Sequence, residues 1–154
     1  MTPHRSIKKM FFTVLCLLAI SAGAFATKEY TISDKMLQTF KQTFPDAQQV
    51  VWSEQGDKYT VNFRQGDILT KVEYDKDGNF LNSLRYYSEK NLPVTILCRL
   101  QKKYSDKKIF GVTEMATESS VEYYIKLEDD TNWITVRANI DGSMQVVEKY
   151  RKAS

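Results

Sequence analysis

The stretch that decides the fold of this chain is residues 59–78, YTVNFRQGDILTKVEYDKDG. Apolar side chains occupy alternate positions along it, and an Asp-Gly pair closes it: Tyr59, Val61, Phe63 and Val72, then Asp77-Gly78. Such alternation is typical of half-buried antiparallel strands, and Asp-Gly is a frequent hairpin turn. The stretch therefore predicts hairpins with one face buried.

The same pattern returns about 64 residues later in the chain. Alternating apolar residues are again followed by an Asp-Gly pair: Tyr123, Ile125, Leu127 and Val136, then Asp141-Gly142. An apolar stripe at helical spacing precedes each pattern: Met36, Leu37, Phe40 and Phe44 in the first half, and Ile96, Leu97, Leu100 and Tyr104 in the second. Each half therefore predicts one amphipathic helix followed by strands.

Turn residues divide each half into four strands, which we expect at residues 50–52, 59–64, 68–74 and 80–87 and then at 109–115, 120–127, 133–140 and 144–150. Ser33 is a candidate helix cap, Pro45 ends the first helix, and Pro93 begins the second. Because the turns are short, neighbouring strands should be antiparallel. We predict an α+β fold of two tandem α-β-β-β-β repeats, residues 27–90 and 91–154, whose single antiparallel sheet carries both helices on one face.

Residues 1–26 are predicted to be a signal peptide. Arg5, Lys8 and Lys9 form a basic start, an apolar run follows over residues 10–20, and Ala24-Phe25-Ala26 supplies the small residues that a signal peptidase reads. The apolar run is shorter than the roughly 20 residues that span a bilayer. We therefore expect cleavage after Ala26, no membrane span in the mature chain, and a periplasmic or secreted location.

Export changes what the composition allows. The leader removes three of the 22 basic residues and no acid, so 19 bases face 19 acids and no excess of positive charge points to nucleic acid. The leader also removes His4 and Cys16, which leaves the mature chain without histidine and with Cys98 alone. An internal disulfide and the nucleophilic sites built on histidine are thereby excluded. We predict no enzyme activity, no cofactor and no metal site.

Several motifs in the sequence resemble those of a known protein family. Phe44-Pro45-Asp46-Ala47, the pair Val50 and Trp52, the alternation that begins at Tyr59, and the turn after Tyr74 resemble PepSY-like proteins related to β-lactamase inhibitor protein. The resemblance implies small exported bacterial proteins with tandem α-β₄ repeats and a curved sheet that bind or inhibit envelope enzymes. The second half departs from it: Ser105 stands in place of the proline, and no tryptophan occupies the first strand. A lone Cys98 also rules out the disulfides of β-lactamase inhibitor protein, so inhibition of a β-lactamase is not carried over.

The face of the sheet that points away from the helices is the candidate binding surface. Strict alternation along each predicted strand leaves a set of aromatic and arginine side chains on that face: Arg64, Arg85, Tyr87, Tyr124, Trp133 and Arg137. These residue types are enriched in protein-interface hot spots. The alternative interpretation is an ordinary solvated face with cross-strand aromatic–cation pairs.

Three other features have simpler interpretations. Asp75-x-Asp77-Gly78 resembles the start of a calcium loop but lacks the remaining ligands, so we interpret it as a turn. The acidic run that begins at Glu128 is interpreted as a solvated loop tip. Cys98 lies off the apolar stripe of its helix, and we interpret it as a small packed residue rather than a redox thiol.

From these observations we expect an exported, non-catalytic protein that binds or inhibits an envelope protein or peptide through the open face of its sheet. The alternative is a periplasmic carrier of a small ligand or peptide in the same concavity, which a deep pocket would favour. An enzyme would need paired carboxylates in a cleft, and their spacing is not found in the sequence. The oligomeric state does not follow from the sequence.

Overall fold

The computed structural model describes residues 32–153 of the chain. The predicted signal peptide with its cleavage site after Ala26, and most of the lead-in at residues 28–32, lie outside the described residues. The described part contains two α-helices, one 3-10 turn and eight strands: α1 Asp34–Thr43, β1 Gln48–Gln55, β2 Lys58–Gln65, β3 Ile68–Asp75, β4 Phe80–Tyr87, η1 Glu89–Asn91, α2 Val94–Lys103, β5 Lys108–Ala116, β6 Val121–Glu128, β7 Asn132–Asn139 and β8 Met144–Arg151.

The two helices begin and end as their local sequences predict. Ser33 caps α1, since its side-chain oxygen accepts a hydrogen bond from the backbone N–H of Met36 at 3.2 Å. Pro45 follows soon after the end of α1, and Pro93 immediately precedes the first residue of α2. No helix in the described range of residues 32–153 is long and apolar enough to cross a membrane.

All eight strands form one antiparallel sheet in the order in which they occur in the chain. Both Asp-Gly turns have the backbone expected of them, with φ of +84° at Gly78 and +83° at Gly142, a region that glycine adopts without steric cost. The predicted α+β class and the antiparallel sheet are therefore confirmed.

Each helix buries its apolar stripe against strands from its own half of the chain. Met36 and Phe40 of α1 pack on side chains of β2 and β3, namely Val61, Phe63, Val72 and Tyr74. Ile96 and Leu100 of α2 pack on side chains of the later strands, which include Val112, Ile125, Leu127, Ile134 and Val136. Trp52 is half-buried with its ring edge-on to Phe40 at 5.3 Å.

Both helices lie on the same face of the sheet, which we call the helix side. A continuous row of directly paired residues joins the two cores on this side: Phe63, Thr70, Arg85, Glu114 and Tyr123. Directly paired residues in antiparallel strands point their side chains to the same face. The opposite face, which we call the open face, is therefore the one that the helices leave uncovered.

Candidate functional site

One row of side chains crosses the middle of the open face. Its members are paired directly from β2 to β7: Arg64, Leu69, Tyr86, Thr113, Tyr124 and Arg137. At about 4.8 Å between neighbouring strands, the backbones of the two arginines are roughly 24 Å apart. We call this set the central row. It places three of the six predicted site residues, Arg64, Tyr124 and Arg137, in register with one another.

The middle of the central row is apolar and accessible. Leu69 is 44% exposed and Tyr86 is 41% exposed. Half-buried Leu84 and Met115 are paired in the adjacent row of the same face. Large apolar side chains flanked by arginine and polar groups resemble the apolar core and polar rim of protein interfaces.

Trp133 also lies on the open face but outside the central row. It is paired with Glu128 and Tyr150, and Glu128 is four residues along β6 from Tyr124, about 13 Å at the rise of a strand. Its indole is in contact with groups of its own chain: the Phe110 ring lies edge-on at 4.9 Å, and the ammonium groups of Lys126 and Lys152 lie 5.4 and 4.6 Å from its centroid. Trp133 is thus partly occupied by intramolecular cation–π contacts.

The predicted placement of Arg85 and Tyr87 on the open face is wrong. Glu73 pairs with Asn82 while Tyr74 pairs with Phe80, so Leu81 is an extra residue that forms a β-bulge. Beyond an extra residue, every side chain points to the opposite face from the one that strict alternation predicts. Arg85 and Tyr87 therefore lie on the helix side, where Tyr87 is only 6% exposed within the core around α2.

The same bulge explains which open-face residues the sequence interpretation missed. Leu84 and Tyr86 occupy the positions on β4 that had been assigned to Arg85 and Tyr87. Leu69 was available from the sequence, because it lies three positions before the predicted core residue Val72, and strict alternation places it on the opposite face. Tyr86 has no such signal, since neighbouring tyrosines at the end of a strand do not reveal which of them faces the core.

The charges of the open face are largely paired with one another. Arg137 lies 3.9 Å from Glu122, whose carboxylate also accepts a hydrogen bond from the Tyr124 hydroxyl at 2.9 Å. That hydrogen bond is the main reason why the pKa of Tyr124 is raised. Arg64 is exposed and has no ion pair among the described residues. The Arg64 end of the central row therefore offers a cation that is not held in an ion pair.

A second polar cluster lies on the helix side, where β4 and β5 join the two halves of the sheet. Arg85 Nη1 donates to Glu114 Oε1 at 2.9 Å, and the Tyr87 hydroxyl donates to Glu114 Oε2 at 2.6 Å. Burial and then the hydrogen bond to Glu114 raise the pKa of Tyr87 far above its usual value of 10.0. We call Arg85, Tyr87 and Glu114 the joint cluster.

We expect the joint cluster to make the protein sensitive to alkaline pH. A raised pKa in the folded state means that the contribution of the Tyr87 hydroxyl to stability is complete below pH 10 and is lost as the pH rises above that value. In urea unfolding between pH 8 and 11, Tyr87→Phe should lose stability less steeply than the wild type above pH 10. The control Tyr124→Phe, on the open face and more exposed to solvent, should follow the wild-type slope more closely. Identical slopes for all three proteins would contradict the assignment.

The two acidic loops that the sequence analysis interprets as a turn and a loop tip are held by their own hydrogen bonds. The Asp75 carboxylate accepts from the backbone N–H groups of Asp77 and Asn79 at 2.8 and 2.9 Å. Asp129 forms an ion pair with Lys107 at 2.8 Å, and with its backbone hydrogen bonds this lowers its pKa. Within residues 32–153, no three His, Cys, Asp or Glu side chains are grouped so that they could hold a metal ion.

Cys98 is a free thiol on the exposed side of α2. Its interpretation as a packed residue is therefore wrong. The buried residues of α2, Ile96 and Leu100, are four positions apart and lie on one side of the helix, whereas Cys98, midway between them, faces solvent.

The pockets beside the two helices lie on the helix side. One of about 390 Å³ lies at the end of α2 and is lined by side chains that include Leu100, Tyr104, Ile109 and Leu127. A smaller one of about 220 Å³ lies at the end of α1 and is lined by side chains that include Phe40, Phe44, Val50 and Trp52.

Neither a protein-family model nor a curated protein sequence matches the chain. Solved structures do match its fold. A DUF2874 family protein from Bacteroides ovatus ATCC 8483 has 19% sequence identity and a TM-score of 0.59, over 79% of this chain and 89% of that one. A BLIP-like protein from Bacteroides fragilis NCTC 9343 has 18% identity and a TM-score of 0.57, over 82% and 91%. A protein from Bacteroides eggerthii DSM 20697, described as a candidate periplasmic protein, has 15% identity and a TM-score of 0.58, over 79% and 90%.

At these identities the likeness is one of fold. The similarity extends over most of each chain, so it concerns the whole sheet with its helices rather than one hairpin. The resemblance to relatives of β-lactamase inhibitor protein, expected from the sequence, is confirmed at this level. The chain has the BLIP-like fold that these DUF2874 family and BLIP-like proteins share.

Proposed function

We propose that this chain is an exported, non-catalytic protein that binds a protein of the cell envelope through the open face of its sheet. The observation that carries the proposal is the central row. It combines exposed apolar side chains at its centre with an arginine at each end, and the helices do not cover it. Aromatic, aliphatic and arginine side chains on a rigid sheet bury a large area while few rotors lose their freedom.

The structure changes which residues are proposed to make the contacts. Leu69 and Tyr86 join Arg64, Tyr124 and Arg137 as the proposed centre of the surface, and Trp133 is proposed as a peripheral contact. Arg85 and Tyr87 are assigned to the joint cluster instead, because their side chains lie on the helix side.

Two kinds of observation support export. The sequence of residues 1–26 has the basic, apolar and small-residue segments of a cleavable leader, and we propose cleavage after Ala26. One protein of the same fold is described as a candidate periplasmic protein, and another as BLIP-like. We carry over from these descriptions the compartment and the BLIP-like fold, and no particular target.

We also propose that residues 27–90 and 91–154 are two copies of one unit. What supports this is that strands β1 and β5 have equivalent irregularities. Gln48 pairs with Arg64 and Val51 with Asn62, and in the second half Lys108 pairs with Glu128 and Gly111 with Lys126, so each strand carries one extra residue at the same place.

The binding proposal is tested by affinity capture of envelope proteins on residues 27–154. The test variant is Tyr86→Ala/Tyr124→Ala, and the matched control is Thr95→Ala/Cys98→Ala on the exposed side of α2. We expect a protein that the wild type and the control retain and the test variant loses, with affinity reduced about tenfold or more, since two hot-spot side chains are removed.

Circular dichroism of the three proteins must first show the same fold and similar melting temperatures. Equal retention of the captured protein by all three proteins would contradict the proposed location of the site.

A further inference from the structure

The outer edge of β1 is open in the described structure. Among residues 32–153, β1 pairs only with β2 and stands at one end of the sheet. Val50 and Val51 at this edge are 39% and 60% exposed. Glu54 is the one charged residue among the eight of β1. Edge strands that must avoid pairing usually carry several charges, as β8 at the other end does with Glu148, Lys149 and Arg151.

A pocket opens beside this edge on the helix side. It has a volume of about 220 Å³ and is lined mainly by apolar side chains of α1 and β1, together with Lys41. A strand added beside β1 would lie about 4.8 Å further out and would point alternate side chains toward the helix side. Those side chains would enter the pocket.

Strand β5 is the counterpart of β1 in the second half of the chain, and the strand that pairs with it, β4, shows what kind of strand fits the β1 edge. Trp52 pairs with Val61 on β2 as Val112 pairs with Ile125 on β6, so Trp52 is the counterpart of Val112. Two residues further along each strand, Glu54 is the counterpart of Glu114. On the far side of β5 lies β4, which places Arg85 opposite Glu114 and Tyr87 opposite Val112.

Glu114 uses both of its carboxylate oxygens in this arrangement, one with Arg85 and one with Tyr87. Glu54 is half-buried and pairs directly with Tyr59, which packs against the core under α1, so its side chain also lies on the helix side. Within residues 32–153, Glu54 forms no ion pair. The β1 edge thus has the acceptor of the β4–β5 joint without the donors.

We propose that β1 accepts an extended segment of a partner protein, antiparallel to it, with a basic residue opposite Glu54 and an aromatic residue opposite Trp52. Main-chain hydrogen bonds along the open edge hold the segment, as in other cases of strand addition. The basic residue forms the ion pair that Arg85 forms with Glu114. The aromatic residue, two positions away, packs in the pocket at the end of α1.

A second copy of the chain fits this edge less well. A second copy offers two edge strands, β1 and β8. Its β1 contains no basic residue to place opposite Glu54. Its β8 presents two basic residues, Lys149 and Arg151, on the helix side where the proposal requires a basic residue and an aromatic one. Lys149 would match Glu54, but Arg151 would enter the pocket that Lys41 lines. The two positive charges in this pocket would repel each other.

The experiment uses residues 27–154, which contain every described element, with Trp133→Phe so that Trp52 is the single tryptophan. The probe is a synthetic peptide with the sequence of residues 82–88, Asn-Ser-Leu-Arg-Tyr-Tyr-Ser. We expect a saturable change in Trp52 fluorescence, and affinity about tenfold or more weaker when glutamate replaces the arginine of the peptide.

Charge reversal tests whether Glu54 is the residue that contacts the arginine of the peptide. Glu54→Arg should reverse the preference, so that the glutamate peptide binds better than the arginine peptide. Glu148→Arg, a matched change on the opposite edge strand, should leave the preference as in the wild type. Two further peptides carry N-methyl groups on alternate residues of one edge or of the other, and only one of the two should lose binding if the main chain pairs with β1.

Three results would overturn the proposal. The first is the lack of a saturable fluorescence change up to about 1 mM peptide, the limit of a useful interaction of this size. The second is equal loss of binding by both N-methylated peptides, since a bound strand pairs along one edge. The third is concentration-dependent self-association in sedimentation velocity that Glu54→Arg abolishes, which would assign the edge to another copy of the chain.

Discussion

Phe63→Ala should lower the free energy of unfolding by about 3–5 kcal/mol, the usual range for removing a fully buried aromatic side chain. Phe63 is 1% exposed, and its ring centroid lies 5.2 Å from that of Phe40 and 4.7 Å from that of Phe44. The Phe63 ring packs β2 against the end of α1, so its removal would leave a cavity between the helix and the sheet. Urea unfolding followed by far-ultraviolet circular dichroism measures the loss.

The matched control for this prediction is Phe110→Ala. Phe110 is 64% exposed, and its ring contacts Trp133 edge-on at the open face. The same change of side chain there should cost about 1 kcal/mol or less, because little apolar surface returns to water and one aromatic pair is lost. Similar losses for the two variants would mean that α1 is not docked on β2 as described.

Glu114→Ala is expected to have the second largest effect, a loss of about 2–3 kcal/mol. The change leaves the guanidinium of Arg85 and the buried hydroxyl of Tyr87 without their acceptor, and an unpaired buried polar group keeps its full desolvation cost. The loss should stay below the value for a fully buried ion pair, because the Arg85 side chain is 38% exposed and water can replace part of the interaction. Equilibrium unfolding in urea at pH 7 measures it.

Glu122→Ala provides a close control for Glu114→Ala. Glu122 also binds one arginine and one tyrosine, Arg137 and Tyr124, but it does so on the open face in contact with solvent. We expect a loss of about 1 kcal/mol or less, as is usual for exposed pairs. In addition, Glu114→Ala and Tyr87→Phe should together cost less than the sum of the single changes, since they remove the same hydrogen bond. Additive losses would show that the joint cluster does not act as a unit.

The β4–β5 pairing between the two halves of the sheet also matters for the proposed binding surface. The central row runs from β2 to β7, so its two arginines come from different halves of the chain. The β4–β5 pairing, which the joint cluster supports on the helix side, sets the distance between them. A variant that weakens the β4–β5 contacts should therefore weaken the proposed partner binding even though it removes no open-face side chain.

Much of the fold follows from local patterns in the sequence. The Asp-Gly pairs occupy turns with positive φ at Gly78 and Gly142, and alternation correctly predicts core residues such as Val61, Ile125 and Val136. These predictions succeed because strand periodicity and turn geometry depend on residues a few positions apart. The strand ends are less accurate, as at β1, which extends over Gln48–Gln55 rather than residues 50–52.

The candidate site was predictable only in part. Arg64, Tyr124, Trp133 and Arg137 lie on the predicted face, but alternation alone does not show that three of them share a row while Trp133 stands apart. Row membership depends on register between strands, to which several turns and bulges contribute. The separation of Trp133 from the others is therefore visible only once all the strands are paired.

The sequence by itself determined the class of the fold, the two helix stripes, the alternating cores and the absence of histidine from the proposed mature chain. Only the tertiary structure decided which face Arg85, Tyr86 and Tyr87 occupy. The extra residue at Leu81 inverts the alternation of β4. Whether this β-bulge is favourable in free energy depends on the pairing of β4 with β3 and on the burial of Tyr87 beneath α2. Those contacts join residues far apart in the chain, so no local pattern around Leu81 carries the information.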